Sequence, residues 1–356
     1  MNNQFCKCLV TGATGYLGTV LVRTLYESGY KVISLVVPGD DAGYVSQYSY
    51  VRYADVCDVG ALEREIAGVD IVIHLAGIID ITARNQTLIK QVNIDGTRNV
   101  AEICRKYNIK MLYCSSVHVL PCLPNNEAIT ENCIIDPKKV SGTYSKTKAE
   151  ATKIVLELTK KGLDAIVIFP SGVIGPYERR VSNIGQLIID FLCGSLTAYL
   201  DGKYNFVDVR DVAKGVCGII ENWNSGEGYI LSGHEITIER MLTEVAKVGD
   251  KKMLRTKLPY WFVLGTSYLS ELYYFLLRKK PLYTHYSIRT LHSNCNFSNQ
   301  KSRDAFDFKV RPVEESLSDM THWIMEHFVV KAGKKYKPSL KQKYRSHKKQ
   351  NIYQNA

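Results

Sequence analysis

Tyr144 and Lys148, in the run Thr143-Tyr144-Ser145-Lys146-Thr147-Lys148, stand four residues apart. On a helix that spacing puts both side chains on one face. An ammonium beside a phenol favours the phenolate, so the pair predicts a tyrosine that exchanges a proton nearer neutral pH than free tyrosine does. The same spacing also occurs on ordinary solvated helices, so its meaning depends on what lies upstream. There, Thr11-Gly12-Ala13-Thr14-Gly15-Tyr16-Leu17-Gly18 follows a short apolar run and opens a helical pattern at once. Glycines at such a junction permit a tight turn and close approach of backbone to a pyrophosphate, and the helix N-terminus adds N–H groups and positive dipole.

The elements that must position these residues alternate regularly. Cys6–Thr11, Lys31–Val37, Ile71–Leu75, Lys110–Ser115 and Ala165–Pro170 read as strands, with helical stretches near 16–28, 59–67, 86–107 and 143–161 between them. That rhythm is βαβ repetition, and with the glycine turn it predicts an α/β, Rossmann-type doubly wound parallel sheet over residues 1–176. After Pro176 the rhythm loosens. Residues 183–194, Arg210–Glu221 and Ile238–Val248 read as helices, and Phe206–Val209 and Gly228–Leu231 as strands. The expected organisation returns to the sheet near 206–232 and builds a smaller, mostly helical substrate lobe from 177–205 and 233–330. Leu258 to Leu277 is strongly apolar, but Pro259, Gly265, Ser267, Ser270 and Glu271 interrupt it. It predicts an amphipathic helix over a pocket rather than a membrane span, with contact at a membrane surface as the lesser reading.

With 356 residues and 46% hydrophobic content, the chain can bury a large core. The formal charge of +11 is concentrated at one end: residues 331–356 hold nine Lys or Arg and no acid, leaving 37 bases against 35 acids before them. A nearly neutral body excludes a specific nucleic-acid surface there, and the basic tail reads as disordered and solvated, though it could touch acidic lipid or nucleic acid. The ten cysteines form no Cys-x-x-Cys and no zinc-spaced cluster. No metal is expected. With no secretory signal in the polar Met1–Gln4 opening, a reducing cytoplasm is the expected location.

Taken together, these motifs resemble the extended branch of the short-chain dehydrogenase/reductase superfamily, the NAD-dependent epimerase/dehydratase type, over about residues 5–330. That branch has Gly-x-x-Gly-x-x-Gly, as here at Gly12, Gly15 and Gly18. Further segments match in order. Ala54-Asp55-Val56 resembles the pair that holds the adenine; His74-Leu75-Ala76-Gly77 the loop lining the cofactor; Asn93 an active-site asparagine. Pro170 to Pro176, including Ser171 and Val173, resembles the loop closing over the nicotinamide, and Phe206 to Ala213 a later signature. The resemblance implies a cofactor site of Gly12, Thr14, Gly15, Tyr16, Leu17, Gly18, Val37, Asp55, Val56, Leu75, Ala76, Gly77, Tyr144, Lys148, Pro170 and Val173. It implies Ser116, in Tyr113-Cys114-Ser115-Ser116-Val117-His118, as the serine that hydrogen-bonds the substrate oxygen. Tyr144 then exchanges the hydroxyl proton, Lys148 binds the nicotinamide ribose, and Asn93 supports a proton relay. The cofactor is NAD or NADP. Members preferring NAD carry an acid just after the second strand, where Val36 and Val37 stand here, but Asp40 and Asp41 follow and would repel a 2′-phosphate if the loop folds inward.

Departures narrow the branch. Ser171 replaces the asparagine that sugar-nucleotide enzymes use, Val117 and His118 replace the acidic pair of the dehydratases, and the acid at 36 is missing. The C-terminal half instead resembles the 3β-hydroxysteroid dehydrogenase and dihydroflavonol reductase group, in Leu258-Pro259-Tyr260-Trp261, Lys280-Pro281-Leu282 and Asn296 to Ser302, with Asp307 where that group has Gly. The expected substrate is therefore a hydrophobic alcohol or ketone. A sugar-nucleotide epimerase or dehydratase with retained NAD, and a non-catalytic cofactor-binding scaffold, stand as alternatives. His118 reads as a packing or hydrogen-bonding residue before an acid/base, and Asp80 as either substrate-facing or a surface carboxylate. The resemblance also implies a homodimer through helices flanking the site.

Overall fold

The computed structural model describes residues 6–79, 85–124, 127–266, 285–332 and 335–338. Seven parallel strands form the main sheet: β1 (Lys7–Thr11), β2 (Lys31–Val36), β3 (Tyr50–Tyr53), β4 (Ile71–His74), β5 (Lys110–Cys114), β6 (Ala165–Pro170) and β10 (Gly228–Leu231), in the order β10-β6-β5-β4-β1-β2-β3. The strands other than the edge strand β3 are mostly apolar and buried on both faces, as a sheet covered by helices on each side requires. Helices α2 (Val59–Ile66), α4 (Thr97–Lys106) and α5 (Thr143–Thr159) bury their apolar sides on one face; α1 (Tyr16–Glu27) and α7 (Val209–Glu221) cover the other. Chain order reverses between β1 and β4, which both leave from the same edge of the sheet. That reversal opens a crevice at the strands' carboxyl ends.

Strand β3 was not among the expected strands. Tyr-Val-Arg-Tyr is short, carries a charge and has a neighbour only in β2, so its signal is one a pattern of buried alternation misses. The expected helix 86–107 is interrupted as well. It is α3 (Gln86–Lys90), then a π turn over Gln91–Gly96, then α4. The widened turn turns the Asn93 side chain inward, and Gly96 fits because a Cβ there would lie 2.6 Å from Val56 Cγ2.

The smaller lobe is less helical than its sequence suggests. Besides α6 (Asn183–Cys193) and α8 (Ile238–Val248) it contains a three-stranded sheet, β11 (His234–Thr237), β9 (Lys203–Asp208) and β7 (Gly172–Ile174). A second, two-stranded sheet pairs β12 (Lys257–Leu258) with β8 (Tyr199–Leu200). So the expected strand at 206–209 belongs to this lobe, and only β10 returns to the main sheet. The basic tail also starts with structure: β13 (Val329–Ala332) and β14 (Lys335–Pro338) pair antiparallel where disorder from 331 was expected. Backbone pairing needs no apolar side chains, so a Lys-rich strand gives little warning of it. Residues 260–266 are helical; the rest of the 258–277 stretch lies outside the described residues. Among the described residues, no helix is long and apolar enough to cross a membrane.

An ion network fastens the lobe to the sheet. The Asp208 carboxylate is fully buried, caps α7 through the Arg210 N–H at 2.8 Å, and accepts both the Nε and Nη2 of Arg210 at 2.9 Å. Arg210 also reaches Asp319 on the C-terminal helix Val313–His327 at 2.7 Å, and Arg311 pairs with Asp211 at 2.8 Å. Removing the buried carboxylate takes away the cap of α7 and leaves the largely buried Arg210 guanidinium with Asp319 as its remaining partner. Asp208→Ala is therefore expected to destabilise the chain by about 3 kcal/mol, seen as a lower urea midpoint at unchanged slope.

Candidate active site

At the β1–α1 junction the backbone is packed without room for side chains. Gly12 has φ +67°, and a Cβ there would lie 2.8 Å from the Ala76 nitrogen; one on Gly18 would lie 2.8 Å from Ala13 Cα. Gly15 is the N-cap of α1 and no side chain caps that helix. N–H groups of an uncapped first turn suit an anion such as a pyrophosphate. Leu75, Ala76 and Gly77 run alongside, with Leu75 N–H bonded to Thr11 O at 3.3 Å. Asp55 and Val56 follow β3; the Asp55 carboxylate accepts the Cys57 N–H at 2.9 Å, and Val56 is buried against Gly96. Pro170 and Ser171 lie at the end of β6, and Val173 in β7. The buried Ser171 hydroxyl has no partner among the described residues. The crowded glycine turn and the open helix end fit a dinucleotide.

A chain of hydrogen bonds links this floor to α5. Thr11 Oγ1 accepts the Ala76 N–H at 3.1 Å and donates to His74 Nδ1 at 2.8 Å. Thr97 uses its proton on the Asn93 carbonyl at 2.7 Å, so His74 Nε2 must donate to Thr97 Oγ1 at 3.0 Å. That fixes the tautomer. Burial also pushes the His74 pKa down to about 3, with Lys148 adding to the shift, so the ring is neutral. Asn93 holds Ile78 on both sides, accepting its N–H at 2.7 Å and donating to its carbonyl at 3.1 Å. Its amide also donates to Thr147 Oγ1 at 3.1 Å, and Thr147 donates to the Tyr144 carbonyl at 2.9 Å. The bridging threonines lay in plain view, Thr97 four residues after Asn93 and Thr147 three after Tyr144, spacings that share a helical face.

The structure brings Ser116, Tyr144, Lys148 and Asn93 to one end of the sheet. Ser115 turns into the core: Thr152 spends its proton on the Lys148 carbonyl, so Ser115 donates to Thr152 Oγ1 at 2.7 Å. Ser116 opens the next turn, where its Oγ accepts the His118 N–H at 3.3 Å, and it acts to lower the Tyr144 pKa. Lys148 Nζ donates to the Cys114 carbonyl at 2.6 Å and lies 4.5 Å from the Tyr113 ring centre. The expectation of a more acidic Tyr144 is reversed. Burial pushes its pKa up to about 12, against the lowering by Lys148 and Ser116, because a phenolate there loses its hydration.

His118 packs flat on Tyr204, 5.6 Å between ring centres, with its Nε2 at 3.0 Å from the Tyr204 hydroxyl. It also meets Tyr144 edge-on at 6.3 Å. Burial lowers its pKa to about 4, in keeping with a packing and hydrogen-bonding residue. Tyr204, on β9, was not foreseen; 86 residues separate it from His118, so no local pattern marks it. Tyr204 in turn meets Phe206 at 5.5 Å and Phe297 at 6.4 Å. Asp80 lies outside the described residues. Among the described residues, no group of His, Cys, Asp and Glu is placed to hold a metal ion.

Comparison with known proteins places this arrangement. The family model "NAD dependent epimerase/dehydratase family" matches residues 8–232, the glycine turn through the end of β10. The chain belongs to that family. It is accordingly an enzyme acting on CH–OH groups with a nicotinamide dinucleotide as cofactor. The chain is 27% identical over 326 residues to sterol demethylase protein B of Methylococcus capsulatus, covering 90% of this chain and 99% of that protein. It is 25% identical over 343 residues to 3β-hydroxysteroid-dehydrogenase/decarboxylase isoform 1 of Arabidopsis thaliana, covering 87% and 77%. The crystal structure of gox2253 superposes with a TM-score of 0.80 at 28% identity, covering 90% and 98%.

Gly18→Ala tests the packed turn directly. The new methyl group must push the turn apart, so dinucleotide binding measured by calorimetry is expected to weaken by about tenfold or more.

Proposed function

We propose that this family member transfers a hydride between its nicotinamide cofactor and a flat, hydrophobic secondary alcohol or ketone, steroid- or flavonoid-like in build. The observation that carries the reading is the aromatic series His118, Tyr204, Phe206 and Phe297, which leads from Tyr144 into the smaller lobe. Aromatic faces suit a flat apolar ring system better than a sugar diphosphate. The two relatives named for sterol and hydroxysteroid chemistry support the same substrate class.

When bound, the nicotinamide supplies the carbon that gives or takes the hydride. The glycine turn, Leu75 to Gly77, Pro170 and Val173 would hold the dinucleotide, and Lys148 its nicotinamide ribose. Ser116 donates a hydrogen bond to the substrate oxygen. Tyr144 gives that oxygen a proton in ketone reduction and removes it in alcohol oxidation. With its pKa raised, Tyr144 rests as the neutral phenol, the form that serves reduction. Lys148 opposes the burial and makes the phenolate reachable, and Asn93 with Thr147 holds the Tyr144 backbone in register.

A panel of steroid and phenolic alcohols and ketones, followed by nicotinamide absorbance, is expected to show turnover. Turnover of sugar nucleotides alone, by protein carrying tightly held NAD, would overturn the reading. On a working substrate, Tyr144→Phe is expected to lower kcat by about a hundredfold or more. Ketone reduction needs the phenol, so it should hold at neutral pH and fail as pH rises through the Tyr144 pKa; alcohol oxidation should rise over the same range. Lys148→Met removes a charge that lowers that pKa, so both limbs should move to higher pH.

A further inference from the structure

Val36 ends β2 where an acid would meet the adenosine ribose, but it is 1% exposed within the apolar core, and Val37 offers only hydrocarbon. The chain then turns sharply. Asp40 N–H bonds to the Val37 carbonyl at 3.0 Å, with Pro38 second and Gly39 third at φ +90°, the pattern of a type II turn. This turn carries Asp40 back onto the glycine loop, where its Oδ2 accepts the Thr14 hydroxyl at 3.1 Å. The same oxygen accepts Arg180 Nη2 at 2.8 Å. Arg180 comes from the smaller lobe, in the loop between β7 and α6. That loop is fastened at several points: Tyr16 donates to the Gly175 carbonyl at 2.5 Å, Trp323 to the Glu178 carbonyl at 2.8 Å, and Arg179 lies 4.6 Å from the Tyr44 ring centre.

We propose that Asp40 selects NAD over NADP in place of the acid that Val36 lacks, and that Arg180 straps its carboxylate into position from the opposite lobe. A carboxylate beside the glycine loop accepts ribose hydroxyls and repels a 2′-phosphate. The Arg180 guanidinium aims that carboxylate, and it joins the adenosine end of the cleft to the loop that follows β7. Arg180 is 47% and Asp40 20% exposed, so the pair adds little to stability and its partners can be exchanged for a ligand. If the carboxylate is removed, the cation remains beside the ribose and favours a 2′-phosphate. The proposal rests on the dinucleotide reading, yet it can fail separately.

The test is calorimetric titration of the full chain with NAD and with NADP, without substrate. The unaltered chain is expected to bind NAD about tenfold or more tightly than NADP. Asp40→Ala should shrink that ratio by about tenfold, chiefly through tighter NADP binding, and Asp40→Asn, which keeps the size, should shift it the same way. Asp40→Ala with Arg180→Gln should lose the NADP gain. Equal or tighter NADP binding by the unaltered chain, or an unchanged ratio in both Asp40 variants, overturns Asp40 as the selector. An NADP gain that survives in the double variant overturns the role of Arg180. Binding of neither dinucleotide by the unaltered chain removes the cofactor reading as well.

Discussion

The β1–α1 turn is so tight that Gly12 and Gly18 leave no space for a Cβ. That contact sets the distance between the first strand, the first helix and the Leu75–Gly77 segment, and everything else at the carboxyl edge of the sheet is measured from it. An uncapped helix end so close to the sheet is unfavourable in an empty cleft and favourable beside an anion. Beside this turn lies the switch point, where β1 and β4 share hydrogen bonds and the chain runs off to both sides.

From this floor the polar groups are spent in one direction. Thr11, His74, Thr97, Asn93 and Thr147 each use their protons in sequence, and the series ends on the carbonyl of Tyr144. The members are buried, where an unpaired polar group costs about 1–3 kcal/mol, so the network holds together or breaks as a unit. The π turn at Gln91–Gly96 belongs to it, because a regular helix would carry Asn93 away from Ile78 and Thr147. The dinucleotide floor and the proton-transferring helix are thus parts of one framework.

Two opposing effects meet at Tyr144. Lys148 and Ser116 favour the phenolate, and the surrounding protein disfavours it more. Desolvation is the largest of these effects, since the phenol is buried and its ring packs edge-on against His118. On the far side, Tyr204 ties His118 to the smaller lobe, so the substrate side of the cleft is built from residues that the sheet alone does not supply.

The sequence by itself determined the alternation of strands and helices, the glycine turn and the shared face of Tyr144 and Lys148. Those features are local: apolar spacing, missing side chains and helical periodicity act within a few residues. It left β3, the π turn and, apart from the strand near 206–209, the small sheets of the second lobe unmarked, since edge strands and bulges depend on neighbours. Tertiary structure alone decided the direction of the Tyr144 pKa, the bond of Ser115 to Thr152, the pairing of His118 with Tyr204, and the meeting of Asp40 with Arg180, 140 residues apart. The reason is physical: charge, desolvation and ring contacts act through space, and only the packed fold sets those distances.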